Sequence, residues 1–213
     1  ENIYLAKTEI LEHLPDEGRG GTLLASAEDK YLYGNMADLR ERTNVRYSTY
    51  CGSPDAELFA EDVIESAENM RFTLRYTVDG STAEAVLPMT GLHNVTDALL
   101  AVHTGLRFGM TLAECAAALG SFVPGAMRSE RVKYGNITII RDYYNANPEA
   151  MAAALQSLGV IAGDAQKWAV LGNMNELGEF AAERHRELGA LCRQYTDAAF
   201  FCGENYCDFA EGY

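Results

Sequence analysis

The chain lacks several features that would otherwise direct its reading. Its 213 residues include five prolines and one tryptophan, with no C-x-x-C pair and no excess of base. No apolar run approaches the roughly 18 residues that a spanning helix needs, and no charged-then-apolar signal segment opens the chain. With 17 Lys+Arg against 31 Asp+Glu the formal charge is −14 and the pI about 4.6. That balance excludes general affinity for nucleic acid or anionic lipid, both of which need a basic surface. The five cysteines (Cys51, Cys115, Cys192, Cys202, Cys207) are odd in number and scattered, so they read as small buried hydrophobes in a reducing compartment. A cytoplasmic protein is the expectation. The sequence also contains no G-x-x-x-x-G-K-[ST], the glycine loop whose N–H groups cradle nucleotide phosphates. The start at Glu1 without Met and the end at Glu211-Gly212-Tyr213 read as cut ends.

The remaining composition is that of an ordinary globular chain, 48% hydrophobic and 23% charged with a mean hydropathy of −0.15. Ile3, Lys7, Ile10 and Leu14 predict a helix stopped by Pro15. Strands are predicted at Gly20–Ser26, Val45–Cys51 and Glu57–Ile64. A hairpin is predicted from Met70–Val78 through Asp79-Gly80 to Ala83–Leu87, making residues 45–90 antiparallel β. From Gly91 the period changes to that of a helix over Asn94–Phe108. Thr111-Leu112-Ala113-Glu114 is a capping box for a second helix.

Val123-Pro124-Gly125 reads as a linker, which divides the chain into residues 1–123 and 124–213. Beyond it, strands at Asn136–Arg141, Lys167–Leu171 and Ala198–Cys202 alternate with helices. The first helix is capped by Asn147, has Pro148 at its first position and is closed by Gly159; the second covers Glu179–Tyr195. That order implies an α/β class with a parallel sheet.

Ligands of open α/β sheets bind beyond the carboxyl ends of the strands. Those positions hold Asp142-Tyr143-Tyr144-Asn145-Ala146-Asn147-Pro148, Gly172-Asn173-Met174-Asn175-Glu176-Leu177-Gly178, and Gly203-Glu204-Asn205. Asn is common in turns and caps, so Asn145 and Asn175 on spacing alone are loop residues. Asp142, a carboxylate at a strand end, suits a sugar diol. Lys7 lies among apolar positions, where it either lays its stem on the core with the ammonium in water or is a buried neutral amine able to take up CO₂. The spacing alone favours the first. His93-Asn94 opens a helix; Asn94 is either a cap or an amide able to both donate to and accept from an adenine edge, with Asp97 one turn on. His185 on the stripe Ala181, His185, Leu188, Cys192 reads as a satisfied core histidine, and Trp168 as core.

Taken in order, these segments resemble the Mur ligase family of ATP-dependent amino-acid and peptide ligases. The resemblance is carried by Ala6-Lys7-Thr8-Glu9-Ile10, by Gly91-Leu92-His93-Asn94-Val95 with Ala98, and by Arg128. It continues in Asp142-x-Tyr144-Asn145-Ala146-Asn147-Pro148 with Met151, and in Val170-Leu171-Gly172-x-Met174-x-Glu176-Leu177-Gly178 followed by His185. The Tyr-Asn-Ala-Asn-Pro run joined to the second glycine loop points to the branch that adds D-alanyl-D-alanine to UDP-N-acetylmuramoyl-tripeptide.

The resemblance implies that residues 1–123 are the later part of a central ATPase domain, mixed with antiparallel strands. Residues 124–213 would be the first part of a Rossmann-like C-terminal domain with a parallel sheet. It implies ATP and Mg²⁺ as cofactors, the UDP-tripeptide and D-alanyl-D-alanine as substrates, and a monomer without nucleic acid or membrane partners. Lys7 would be a carbamate that binds Mg²⁺, which reverses the preference drawn from its spacing. His93, Asn94 and Asp97 would meet the adenine, and Arg128 and Asp142 the ribose, the latter two from a domain that closes over the nucleotide. Tyr144, Asn145, Asn147, Asn173 and Glu176 would line the dipeptide side, with His185 among the catalytic groups. Three positions depart from the family pattern: Asp97 and Asn173 exchange amide and acid, and Arg141 stands where an acid is common. Without the phosphate loop, the 213 residues are expected to be inactive alone. The alternatives are a sister Mur or folylpolyglutamate-type ligase, or a non-catalytic nucleotide-binding module.

Overall fold

The first apolar stripe does not remain one helix. In the computed structural model, which describes residues 2–14 and 21–213, α1 covers Asn2–Thr8 and Glu9–His13 tightens into a 3₁₀ turn. Three residues per turn rotate the inward face. Thr8 and Leu11, three apart, are buried, whereas Lys7 and Ile10 are exposed. The apolar face expected around Lys7 is therefore not the one the core uses. The Pro15 stop and Gly20 lie outside the described residues.

Two compact units emerge. The first comprises Glu1–Ile64, Met70–Pro88 and Leu92–Phe122. It holds β1 (Thr22–Ser26), α2 (Lys30–Gly34), α3 (Met36–Arg42), β2 (Asn44–Thr49), β3 (Ala56–Glu65), β4 (Met70–Tyr76), β5 (Ser81–Leu87), α4 (Leu92–Arg107) and α5 (Leu112–Gly120). The five strands form one sheet in sequence order. Its hairpin β4–β5 is antiparallel, closing with Tyr76 opposite Ser81 around Gly80 (φ +73°). The antiparallel expectation for residues 45–90 fails at its start, because β2–β3 is parallel, as is β1–β2 before it. The Tyr50–Asp55 connection can do this because Tyr47 pairs with Ala56, so the chain climbs back only two residues before β3 begins. Six residues reach up to about 20 Å, which is ample. The loop is held from the side: the Glu28 carboxylate accepts from the Tyr50 and Cys51 N–H groups (3.0 and 3.2 Å) and from the Thr49 hydroxyl.

Alternation along the strands places Leu58, Ala60, Phe72, Leu74, Ala85 and Leu87 inside. Helix α4 packs on β1 and β2, and α5 on β5. The Thr111–Glu114 capping box forms as predicted, the threonine hydroxyl oxygen accepting from the Glu114 N–H and the Glu114 carboxylate accepting from the Thr111 N–H.

The second unit comprises Glu65–Asn69, Met89–Gly91 and Val123–Tyr213. It contains β6 (Glu130–Tyr134), β7 (Ile137–Arg141), α6 (Pro148–Ala162), β8 (Trp168–Leu171), α7 (Ala181–Tyr195), β9 (Ala198–Phe201) and α8 (Tyr206–Gly212). Strands β8 and β9 are parallel, as predicted, but β7 pairs with the unforeseen β6 in an antiparallel hairpin. Its turn is Gly135-Asn136 with Gly135 at φ +59°, a two-residue hairpin signal visible in the sequence. Helix α6 has its Asn147 cap (2.7 Å to the Ala150 N–H) but runs past Gly159 to Gly163. Gly159 instead makes room for the Tyr195 ring, which a Cβ would meet at 3.2 Å.

The inner side of β8–β9 gives Ala169, Leu171, Ala199 and Phe201 to a core with Leu155, Met174, Leu188, Cys192 and Phe209. Trp168 and Val170 alternate to the other face and are 62% and 73% exposed, so Trp168 is not core. Cys115 and Cys192 are buried as expected. Cys51, Cys202 and Cys207 are exposed, and all five are free thiols. Among the described residues no helix is long and apolar enough to cross a membrane.

His103 on α4 is 1% exposed, and neither ring nitrogen has a hydrogen-bond partner. Its Nε2 lies 3.7 Å from a Glu57 carboxylate oxygen, Glu57 being paired with Arg46, and Tyr76 meets the ring edge-on. Burial lowers its pKa from the ordinary imidazole value; Glu57 opposes this, while Arg46 and Arg107 reinforce it. The unfolded chain therefore binds the proton more readily. The resulting stability is fully present above about pH 6.5 and is lost as the pH falls from there toward the folded-state value. Urea midpoints at pH 7.5 and 5.5 should show His103→Leu losing less stability on acidification than the wild type. Equal losses in the two proteins would refute the assignment.

Candidate functional site

In the first unit the nucleotide candidates sit on the opening turns of α4. Asn94 is buried, while His93 and Asp97, four residues apart on the outer side, are exposed. The helix is entered through Gly91, whose φ of +98° suits glycine. Its N–H donates to the Glu65 carboxylate at 2.7 Å. Lys7 stands apart on α1 as an exposed side chain, without the burial that the neutral-amine reading required. Among the described residues no three His, Cys, Asp or Glu side chains gather as a metal cage. The described residues thus hold no ready-made His, Cys, Asp and Glu set for a divalent cation.

In the second unit, three expected residues come together. The Arg128 guanidinium lies over the Tyr144 ring, 4.3 Å from its centroid, and Asp142 accepts from the Ser129 N–H at 3.2 Å. The Met127 carbonyl accepts from the Tyr143 and Tyr144 N–H groups (3.1 and 3.3 Å). Met127 and Ser129 both have positive φ, +64° and +47°, on either side of Arg128. Non-glycine residues keep such a backbone only where the surroundings enforce it, and here the strand-end segment Asp142–Tyr144 supplies the partners. The outcome is an exposed planar cation beside an exposed carboxylate at the carboxyl end of β7. Arg stacks on an aromatic face while keeping its fork for a ligand, and Asp142 keeps its second oxygen for a hydroxyl pair. Tyr144, expected on the dipeptide side, is here the platform under Arg128.

The remaining candidates are more committed to the fold than expected. The Asn145 side-chain oxygen accepts from the Ala146 N–H at 2.9 Å, and that of Asn147 caps α6. The Asn173 side-chain oxygen accepts from the Asn205 N–H at 3.0 Å beside Gly203 (φ +98°), tying the loop after β8 to the loop after β9. His185, expected among the catalytic groups, is fully buried. Its Nδ1 is 2.6 Å from the Ala181 carbonyl and its Nε2 accepts from the Met174 N–H at 3.0 Å. The ring meets Phe209 edge-on at 4.7 Å. Buried and with both ring nitrogens engaged, His185 holds the Gly172–Gly178 loop through the Met174 N–H. Glu176, on the same loop with φ +65°, is exposed.

Sequence reasoning missed Met127, Ser129 and Glu65, and placed Asn205 in a strand-end loop without its tie to Asn173. Each matters through its backbone or through a partner distant in sequence, and no spacing advertises that.

Comparison with known proteins gives consistent matches. The family model for the Mur ligase middle domain matches residues 1–105, and that for the Mur ligase glutamate ligase domain matches residues 127–212. The UDP-N-acetylmuramoyl-tripeptide–D-alanyl-D-alanine ligase of Bacillus subtilis is 33% identical over 214 residues, covering 100% of this chain and 44% of that protein. The enzyme of that name from Mycobacterium tuberculosis H37Rv is 34% identical over 198 residues, covering 90% of this chain and 37% of its own length. Among solved structures, a MurF of Acinetobacter baumannii superposes with a TM-score of 0.84 at 27% identity, over 99% of this chain and 44% of that one. The Thermotoga maritima MurF ligase in complex with ADP shares the fold (TM-score 0.78, 20% identity, 95% of this chain and 44% of that one). The chain thus spans less than half the length of these relatives.

If His185 is a positioning residue, His185→Ala should leave the buried Met174 N–H without an acceptor, a loss of about 1–3 kcal/mol. Hydrogen exchange at Met174 should accelerate more than tenfold while the Trp168–Leu171 amides change less. Unaltered exchange at Met174 would overturn this role.

Proposed function

The chain belongs to the Mur ligase family, and from that premise we propose that it is the part of a D-alanyl-D-alanine-adding ligase that holds the base and ribose of ATP and receives the dipeptide. The observation that carries this reading is the Arg128–Asp142–Tyr144 group on strained backbone at the carboxyl end of β7. The likeness to ligases of that name along the whole chain supports it.

In the whole protein the reaction would run in two steps. ATP first phosphorylates the terminal carboxylate of UDP-N-acetylmuramoyl-tripeptide, forming an acyl phosphate and ADP. The amine of D-alanyl-D-alanine then attacks the acyl carbon. A tetrahedral intermediate forms, the C–O bond to phosphate breaks, and the amine loses its proton as the amide is made. The Asn94 amide addresses the adenine edge beside His93, and Asp97 accepts from the exocyclic amine. Asp142 takes the ribose hydroxyls, with Arg128 beside it. Glu176, on the loop that His185 and Asn173 hold, suits the ammonium of the incoming dipeptide; the free N–H groups of Asn145 and Asn147 suit its carbonyls. Lys7, open to solvent, is accessible to CO₂. Mg²⁺ belongs to this reading only through a Lys7 carbamate, with the other ligands from outside the described residues. The acidic surface accords with small-molecule substrates rather than nucleic acid, and a cytoplasmic monomer is part of the proposal.

A phosphate-release assay on the whole protein, with ATP, the UDP-tripeptide and a panel of amines, tests the reading. Release is expected with D-alanyl-D-alanine, and a preference for a single amino acid would overturn the branch assignment. Asp142→Ala should raise the KM for ATP about tenfold, the loss of a hydrogen bond to a charged group, and leave the KM for the UDP-tripeptide unchanged. An unaltered ATP dependence would refute the ribose contact. Lys7→Ala should lower kcat by about a hundredfold or more; wild-type turnover would rule out a role for that lysine.

A further inference from the structure

Arg131 on β6 is half-buried and takes no part in the groups described above. One arm of its guanidinium donates to the Ala67 carbonyl, and Nη2 donates to the Thr90 hydroxyl oxygen at 3.1 Å. It therefore ties together two turns that lie more than 20 residues apart in sequence. The first, Glu65–Asn69, is closed by the Ser66 N–H and hydroxyl on the Asn69 carbonyl, both at 2.9 Å. The second is the Met89–Gly91 turn. A further bond joins the same two turns, because the Gly91 N–H donates to Glu65 at 2.7 Å. Both turns belong to the second unit, yet the chain leaves the second of them directly into α4. His93 and Asn94 follow Gly91 by two and three residues. They follow directly on the Thr90-Gly91 backbone, where Gly91 has a φ of +98° and its N–H is engaged by Glu65.

We propose that Arg131 is a positioning residue for the adenine nucleotide: its two-armed grip on Ala67 and Thr90 fixes the Thr90-Gly91 entry to α4 and so the placement of His93 and Asn94. This rests on the nucleotide reading of α4 given above. A planar fork with two diverging donors suits the task, since it reaches both turns at once, whereas a lysine ammonium on its flexible stem reaches one or the other. Arg131 touches no reacting group, so its effect passes through binding of the base and leaves the chemical step alone.

The test combines amide hydrogen exchange with steady-state kinetics on the whole protein, for the wild type, Arg131→Ala, Arg131→Lys and Thr90→Val. Thr90→Val keeps the arginine and removes one acceptor, so it reads the same contact if Arg131→Ala fails to fold. Arg131→Ala should raise exchange at Gly91 about tenfold and raise the KM for ATP by a similar factor. Its kcat and its KM for the UDP-tripeptide should stay within about twofold, with Arg131→Lys intermediate. Unchanged Gly91 exchange in Arg131→Ala and Thr90→Val would overturn the proposal. So would faster exchange with an unchanged KM for ATP, or an equal loss in every kinetic parameter. A wild-type protein without ATP-dependent turnover would instead overturn the ligase reading and the nucleotide role with it, while Gly91 exchange would still show whether Arg131 holds the turn.

Discussion

A backbone N–H that leaves a helix or ladder and loses contact with water must find another acceptor. In several irregular segments of this protein a single side chain supplies it. Glu28 accepts from Tyr50 and Cys51, Glu65 from Gly91, Asp142 from Ser129, Asn173 from Asn205, and His185 from Met174. In every case donor and acceptor come from segments distant in sequence, so each bond also fixes one loop against another element. The two ladders of the second unit have two strands each. The shape of the loops beyond their ends rests on these few acceptors.

This constraint divides the polar residues between two kinds of work. His185 has both ring nitrogens engaged within the fold, and the Asn173 side-chain oxygen holds the Asn205 N–H. Asp142 is the instructive intermediate: one oxygen secures the left-handed backbone at Ser129, which keeps Arg128 over Tyr144, and the other remains open. The same carboxylate thus builds its neighbourhood and can meet a ligand from it. Arg131 carries the logic one step further, as a side chain whose contacts all serve the geometry of the turn before α4.

Local chemistry was the legible part. The Thr111–Glu114 box, the Asn147 cap with Pro148, the Asp79-Gly80 hairpin and the parallel β8–β9 pair all depend on residues within one turn or one repeat of each other, and all are in the structure. The Gly135-Asn136 hairpin was equally local, and its signal went unread. The failures have non-local causes. Lys7 left the inward face because the helix tightened after Thr8, Trp168 turned outward because alternation gave the inward positions to Ala169 and Leu171, and Gly159 served the Tyr195 ring rather than a helix end.

The residues of the candidate site show the same division. Which side chains are present, and the family they belong to, was settled by the sequence, because the motifs are contiguous and their residue types are specific. The tertiary structure alone decided which of them are exposed and which are engaged in holding the fold. That choice turns on hydrogen-bond partners 11 to 32 residues away, as with Met174 to His185 and Asn205 to Asn173. A pattern read along the chain carries spacing and chemistry, but the identity of the group that closes on a buried N–H is known only once the chain has brought the two together.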